Sequence, residues 1–357
     1  MNSKILALTY FLFCPLASLA AERYEFYNGI RAMGMGGASV ATVNDETALI
    51  SNPAALGKLR DYYITLIDPE VELGVETQNM IGYDLLVGLN PQRTLDKSNA
   101  HPDDHLHTRA QIFPSIVVPN FGFGVFGKYV TDAEVDTATN TFNFDYTNDY
   151  AAVAGFNFRF FNGIIKLGTN ARIVNRTEVH DHTIDPLLTN LTLKALASSG
   201  VGVATDAGLI LSAPIAALPT LAAVYRDIGR TSYSMRDGMF MKTTNKPDST
   251  AETVDVAISI SPILGNRIRS TWTVEYQDVL TTSKETDHMR RAHGGVEINI
   301  ADAVFVRGGM NQKYWTAGLE LAMMNYQFQA ASYGEDIGSS GASVEDRRYE
   351  IKFSFRF

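Results

Sequence analysis

Two runs of the chain concentrate side chains that can bind a transition metal. His101, His105 and His107 lie in HPDDHLH beside Asp103 and Asp104, and His180 and His182 flank Asp181 in HDH. Imidazoles and carboxylates at such spacings suit zinc, and two loops that carry them can converge on one ion. Both runs fall in polar stretches with no hydrophobic periodicity, so the sequence places them in solvated loops. It assigns no metal and no cofactor on this ground.

Other chemistry is thinner. No Gly-x-Ser-x-Gly elbow and no obvious Ser and His pair marks a hydrolase. Gly34-x-Gly36-Gly37 lacks the Lys-Ser/Thr ending of a phosphate loop, and no strand precedes it. The single cysteine, Cys14, lies in the leader, which leaves the exported chain without a disulfide or thiol nucleophile. With 30 Lys and Arg against 39 Asp and Glu the chain is acidic, which disfavours nucleic acid as a partner. The expectation is a protein with no catalytic residues that is not an enzyme.

The elements that would position these residues begin with a leader. Lys4 precedes an apolar run from Ile5 to Phe13, Pro15 follows, and Ser18-Leu19-Ala20 supplies small residues for cleavage after Ala20. The apolar run is about half the ~20 residues that a spanning helix requires. Residues 1–20 thus read as a signal peptide, and export follows. The longest later apolar stretch, LILSAPIAALPTLAAVY, is broken by Pro214 and Pro219.

The C-terminus alternates strictly. Tyr349, Ile351, Phe353, Phe355 and Phe357 stand on one face, and Arg348, Glu350, Lys352, Ser354 and Arg356 on the other. Period two over about ten residues matches a tilted strand that crosses the hydrocarbon. Such alternation averages to neutral hydropathy, here −0.05 over the chain, while one face meets lipid. The same pattern recurs upstream and gives about 14 strands, an even number that closes an antiparallel barrel without an open edge.

Connections alternate between tight turns, such as Pro119-Asn120 and Ala301-Asp302, and long polar segments, among them 131–147 and 175–199. The fold class is therefore an all-β transmembrane barrel, with the signal at 1–20, an N-terminal hatch at 21–60 and the barrel at 61–357. The inferred lumen is charged, with Arg159, Arg172, Arg269, Glu275, Glu297, Arg307, Glu320, Glu350 and Lys352 facing inward. These charges either form ion-pair ladders that dock the hatch or argue against a greasy conduit.

The hatch stretch GIRAMGMGGASVATVNDETALISNPAAL resembles the N-terminal signature of the FadL superfamily of outer-membrane long-chain fatty acid and aromatic hydrocarbon transporters, with its PorV-like and conjugal TraF-like relatives. The match ends in the Asn52-Pro53-Ala54 hatch motif and continues through RAHGGVEINI and YEIKFSFRF. The resemblance implies a 14-stranded barrel closed by its own N-terminus and a kinked strand that opens the wall sideways, for which Pro114 is the candidate. Tyr24, Phe26, Met33 and Met35 would line an inner site for a hydrophobic ligand. Tyr349, Phe353, Phe355 and Phe357 would be read by the outer-membrane barrel assembly machinery.

Two functions follow as expectations. The first is uptake of hydrophobic small molecules, gated by the hatch. The second is a PorV-like structural or secretion barrel that meets a protein partner at its extracellular loops and carries no small molecule. Outer-membrane lipids are the surrounding partner in both.

Overall fold

The computed structural model describes residues 25–82, 84–234, 238–283, 285, 287–338 and 342–357. Residues 1–24, which include the expected signal peptide and Tyr24, lie outside the described residues. Among the described residues no helix is long and apolar enough to cross a membrane. The chain instead crosses with strands, which form one closed antiparallel barrel of 14 staves.

In chain order the staves are β1 (Tyr63–Ile67 and Glu70–Gly74), β2 (Leu106–Ile112 and Ser115–Val118), β3 (Phe121–Asp136), β4 (Thr141–Phe160) and β5 (Ile165–Ile184). Next come β6 (Ser198–Ser212), β7 (Thr220–Arg226), β8 (Thr253–Ile260), β9 (Ile268–Tyr276) and β10 (Ala292–Ile300). The last four are β11 (Val304–Asn311), β12 (Tyr314–Ala322), β13 (Tyr326–Asp336) and β14 (Glu345–Arg356). Short pairings at Tyr233–Ser234 and Ile263–Gly265 extend the sheet at its rims. The ring closes where β14 meets β1, from Arg348 opposite Gly74 to Lys352 opposite Glu70.

The barrel is sorted inside out relative to a water-soluble sandwich. On β14, Tyr349, Ile351 and Phe353 are 53%, 54% and 43% exposed, while Glu350 and Ser354 are fully buried. Trp272 and Val274 on β9 and Trp315 on β12 likewise face outward. An apolar outer band over a polar interior is the surface that a lipid bilayer requires of a closed barrel.

One end has tight turns. At Ala301-Asp302 both residues have positive φ, 56° and 57°, the geometry that joins two strands without splaying them. The other end differs from the sequence reading. Residues 131–147 and 175–199 were expected as loops, but β3, β4 and β5 run on through Asp136, from Thr141 and to Ile184. The reason is packing. The outer faces of these extensions, with Val135, Phe142, Phe144 and Val179, bury against the segment between β1 and β2. That segment carries α1 (Val75–Ile81) and α2 (Pro91–Ala100), and Met80, Ile81 and Leu95 fill the contact.

Candidate functional site

Residues 25–60 lie inside the barrel. A short helix, Ile30–Gly34, packs on β11, β12 and β13, and a 3₁₀ turn, Pro53–Lys58, packs on β4, β5 and β6. Asn52 explains the second element. Its Oδ1 accepts from Ala54 N at 3.1 Å and its Nδ2 donates to Val40 O at 2.9 Å, so one amide starts the turn and ties it to the rest of the hatch. Pro53 at the first position has no N–H to lose.

The wall receives the hatch on glycines. A side chain at Gly168 would meet the Pro53 carbonyl and Ala54 N, and one at Gly208 would meet Asn52 Oδ1. Gly295 is filled in the same way by the backbone of Met35, and Gly36 adopts φ +71° against the carbonyls of Gly294 and Met310. Asn157 and Asn170 then donate to Ala54 O (3.1 Å) and Leu49 O (2.8 Å). Sequence reasoning missed these wall residues. Their signal was glycine in strand interiors, which marks a close backbone approach.

Charge completes the docking. Arg31 makes a bidentate pair with Glu297, Nε and Nη2 at 2.9 Å, and a second contact to Asp45 at 3.2 Å. Glu297 also accepts from Arg307 at 2.7 Å, and Arg307 reaches Glu320. Glu275 takes the backbone N–H groups of Ser39 and Val40 at 2.8 Å each. Glu275 and Glu297 thus brace the hatch, while Glu320 and Glu350 pair within the wall, and two charges depart from the sequence reading. Arg159 and Arg269 are exposed at the short-turn rim, because their strands end there and the inward alternation stops.

The wall is interrupted beside the hatch. β1 breaks at Asp68-Pro69 and β2 at Phe113-Pro114, so the ladder between them runs from Tyr63–Val117 to Thr65–Ser115 and resumes only at Glu70–Gln111. Each proline lacks the N–H that a ladder needs. Asp68 substitutes a side chain, accepting Phe113 N at 2.7 Å, and stands 3.4 Å from Lys352 Nζ. Asp68→Ala leaves that amide unpaired, and the expected cost is about 1–3 kcal/mol. Hydrogen exchange at the Phe113 amide checks this, since protection equal to the native level would show that Asp68 contributes nothing.

An apolar cluster fills the gap. Phe26 sits on Phe126 with ring centroids 4.8 Å apart, and Tyr27 lies 5.8 Å from Phe126 and 6.5 Å from Phe113. The Arg172 guanidinium covers Phe26 at 4.6 Å. Phe126 and Phe113 are buried and face inward, out of phase with the outward Phe121 and Phe123, a signal the sequence carried unread. Of the residues expected to line a ligand site, Phe26 joins this cluster. Met33 and Met35 are buried elsewhere in the hatch, and Met35 lies along Gly295.

Three of the histidines read as loop residues, His107, His180 and His182, lie on strands, although the His180 side chain stays 53% exposed. His107 lies on β2, 1% exposed, between Glu72 Oε1 at 2.7 Å and Asp132 Oδ1 at 2.6 Å. His180 and His182 lie on β5, and both meet Asp145 of β4 at 2.7 Å. The extended strands, covered from outside by α1 and α2, carry them into the wall. His101 remains at the helix end, beside Asp104.

These features define a class: an outer-membrane type of barrel with its own N-terminal segment packed in the lumen and a broken wall next to it. No family model matches the sequence, and no curated protein matches it. Solved structures do. The Pseudomonas putida toluene transporter TodX is similar at a TM-score of 0.55 and 10% identity, covering 91% of this chain and 97% of that one. The Ralstonia pickettii toluene transporter TbuX is similar at 0.51 and 13%, covering 92% and 98%. A Pseudomonas aeruginosa FadL homologue is similar at 0.51 and 11%, covering 94% and 99%. The chain therefore has the FadL type of barrel fold.

Proposed function

We propose that the protein is an outer-membrane channel for diffusive uptake of hydrophobic small molecules, with the hatch as its gate. The observation that carries this reading is the aromatic cluster of Phe26, Tyr27, Phe113 and Phe126, which joins the hatch to the wall break at Phe113-Pro114. An apolar ligand entering sideways between β1 and β2 takes the place of the Phe26 and Tyr27 rings, and displacement of residues 25–29 loosens the hatch. Each ring contact exchanged is worth about 0.5–1.5 kcal/mol beyond area burial, so the exchange is close to balanced and reversible. The named neighbours, two toluene transporters and a FadL homologue, support the same ligand class.

A second reading, a structural or secretion barrel of the PorV type, is favoured by one observation. The outer half of the lumen is polar and ion-paired, with Arg109 held between Glu72 and Glu350. Two measurements separate the readings. Uptake of labelled toluene and of a long-chain fatty acid into vesicles that contain the protein is expected to exceed uptake into empty vesicles. Mass spectrometry of organic extracts is expected to find apolar molecules on the native barrel and fewer on a chain lacking residues 21–35. Equal uptake by loaded and empty vesicles would eliminate the channel.

A further inference from the structure

At the outer mouth of the lumen, four adjacent staves present a row of facing residues. His107 of β2 stands opposite Asp132 of β3, Asp132 opposite Asp145 of β4, and Asp145 opposite His180 of β5. The row lies on the inner face. Gln111 of β2 and Lys128 of β3 share the alternation of His107 and Asp132, and both reach hatch carbonyls, at Asn28 and Glu25. His105, two residues before His107, adds its ring to the same side at 3.3 Å from Asp132.

We propose that His105, His107 and Asp132 form a binding site for a divalent transition-metal cation of the zinc type. One ligand atom from each lies within 4.8 Å of the others. Donor atoms around a tetrahedral ion with bonds of about 2.0–2.2 Å stand roughly 3.4 Å apart, so closure needs only small side-chain shifts. Two imidazoles with one carboxylate favour zinc, nickel or copper over calcium or magnesium.

Support from the next layer is already in place. Glu72 accepts from His107 Nε2 at 2.7 Å, which turns Nδ1 toward Asp132. Glu72 is itself held by Tyr333 Oη at 2.8 Å and by Arg109. A carboxylate behind a histidine ligand fixes its ring and raises its basicity. The backbone is clamped too. Glu76 and Thr77 of α1 accept from His105 N at 2.8 Å and His107 N at 2.7 Å.

Charge points the same way. The carboxylates of Glu72, Asp132, Glu134 and Asp346 surround the two rings, and the guanidiniums near them are Arg109 and Arg348. Arg109 is shared with Glu350, so carboxylates exceed guanidiniums; the two imidazoles carry the balancing protons, and a dication takes the place of those protons. The site is reachable from outside, since the His105 and Asp132 side chains are 16% and 20% exposed. A bound ion would pin the end of the 75–105 segment to β3.

The test uses tag-free, chelator-stripped protein in detergent, titrated with Zn²⁺ by calorimetry. A saturable site is expected, and His105→Ala and Asp132→Asn are each expected to weaken it by at least about tenfold. His180→Ala, in the neighbouring cluster, is expected to leave it unchanged. Native protein loaded with Co²⁺ should show the strong visible absorption of a tetrahedral site, a readout independent of how the variants fold. Zn²⁺ should also slow proteolysis within 75–105. Absence of saturable binding, or binding lost with His180→Ala and kept with His105→Ala, would overturn the site.

Discussion

Gly168→Val is expected to turn a silent barrel into a conducting one. The hatch turn Pro53–Lys58 rests on β5 with the Pro53 carbonyl and Ala54 N directly over Gly168, and a Cβ there meets backbone rather than a flexible side-chain end. Overpacking a fitted contact costs about 1–3 kcal/mol when side chains can yield, and more when they cannot. The hatch therefore leaves its seat, taking with it the bonds from Asn157 to Ala54 and from Asn170 to Leu49. Planar-bilayer recordings should show lasting open steps for Gly168→Val and Gly208→Val. Gly265→Val is the control, because nothing lies within 4 Å of its added Cβ, and it should stay silent like the native protein. A silent Gly168→Val barrel with a protease-resistant hatch would mean that Asn52, Pro53 and Ala54 do not seal the lumen.

The contrast between what was readable and what was not follows from the range of each interaction. The outward face of β14 was legible because lipid contact imposes period two on consecutive residues, and Tyr349, Ile351 and Phe353 obey it. The extensions of β3, β4 and β5 were not legible. They are buried by α1 and α2, which arrive from far along the chain, so Asp132, Asp145 and His180 read as loop polarity. Pro114 could be read as a break in a strand. Its counterpart at Asp68-Pro69 and the Asp68 carboxylate that patches the gap depend on pairing between β1 and β2, which no local pattern encodes. Within the hatch, the Asn52-Pro53-Ala54 turn was visible, whereas its seats at Gly168 and Gly208 required knowing which strands face it.

Glu297→Gln is expected to release the other half of the hatch and to leave the wall standing. Glu297 neutralises two guanidiniums at once, Arg31 of the hatch through paired bonds of 2.9 Å and Arg307 of β11 at 2.7 Å. The Arg31 side chain is 20% exposed and that of Arg307 is 2%, so water replaces little of what the carboxylate supplied. Removing one member of a buried ion pair costs about 3–5 kcal/mol. The Arg307 share is cushioned by Glu320, which remains bonded to it. The Arg31 share falls back on Asp45, which is itself part of the hatch and holds Arg31 to nothing in the wall. Proteolysis of residues 25–60 should therefore begin at a lower urea concentration in Glu297→Gln than in the native protein, while the barrel unfolds at nearly the native midpoint. Glu320→Gln reverses the pattern, since Glu320 contacts Arg307 and Gln327 of the wall and no hatch residue among its bonds. A cycle of Glu297→Gln with Arg31→Met should show coupling of about 0.5–3 kcal/mol for hatch release. Additive effects in that cycle would mean that the charges line the lumen without holding the hatch, and the greasy-conduit objection to a charged interior would then regain its force.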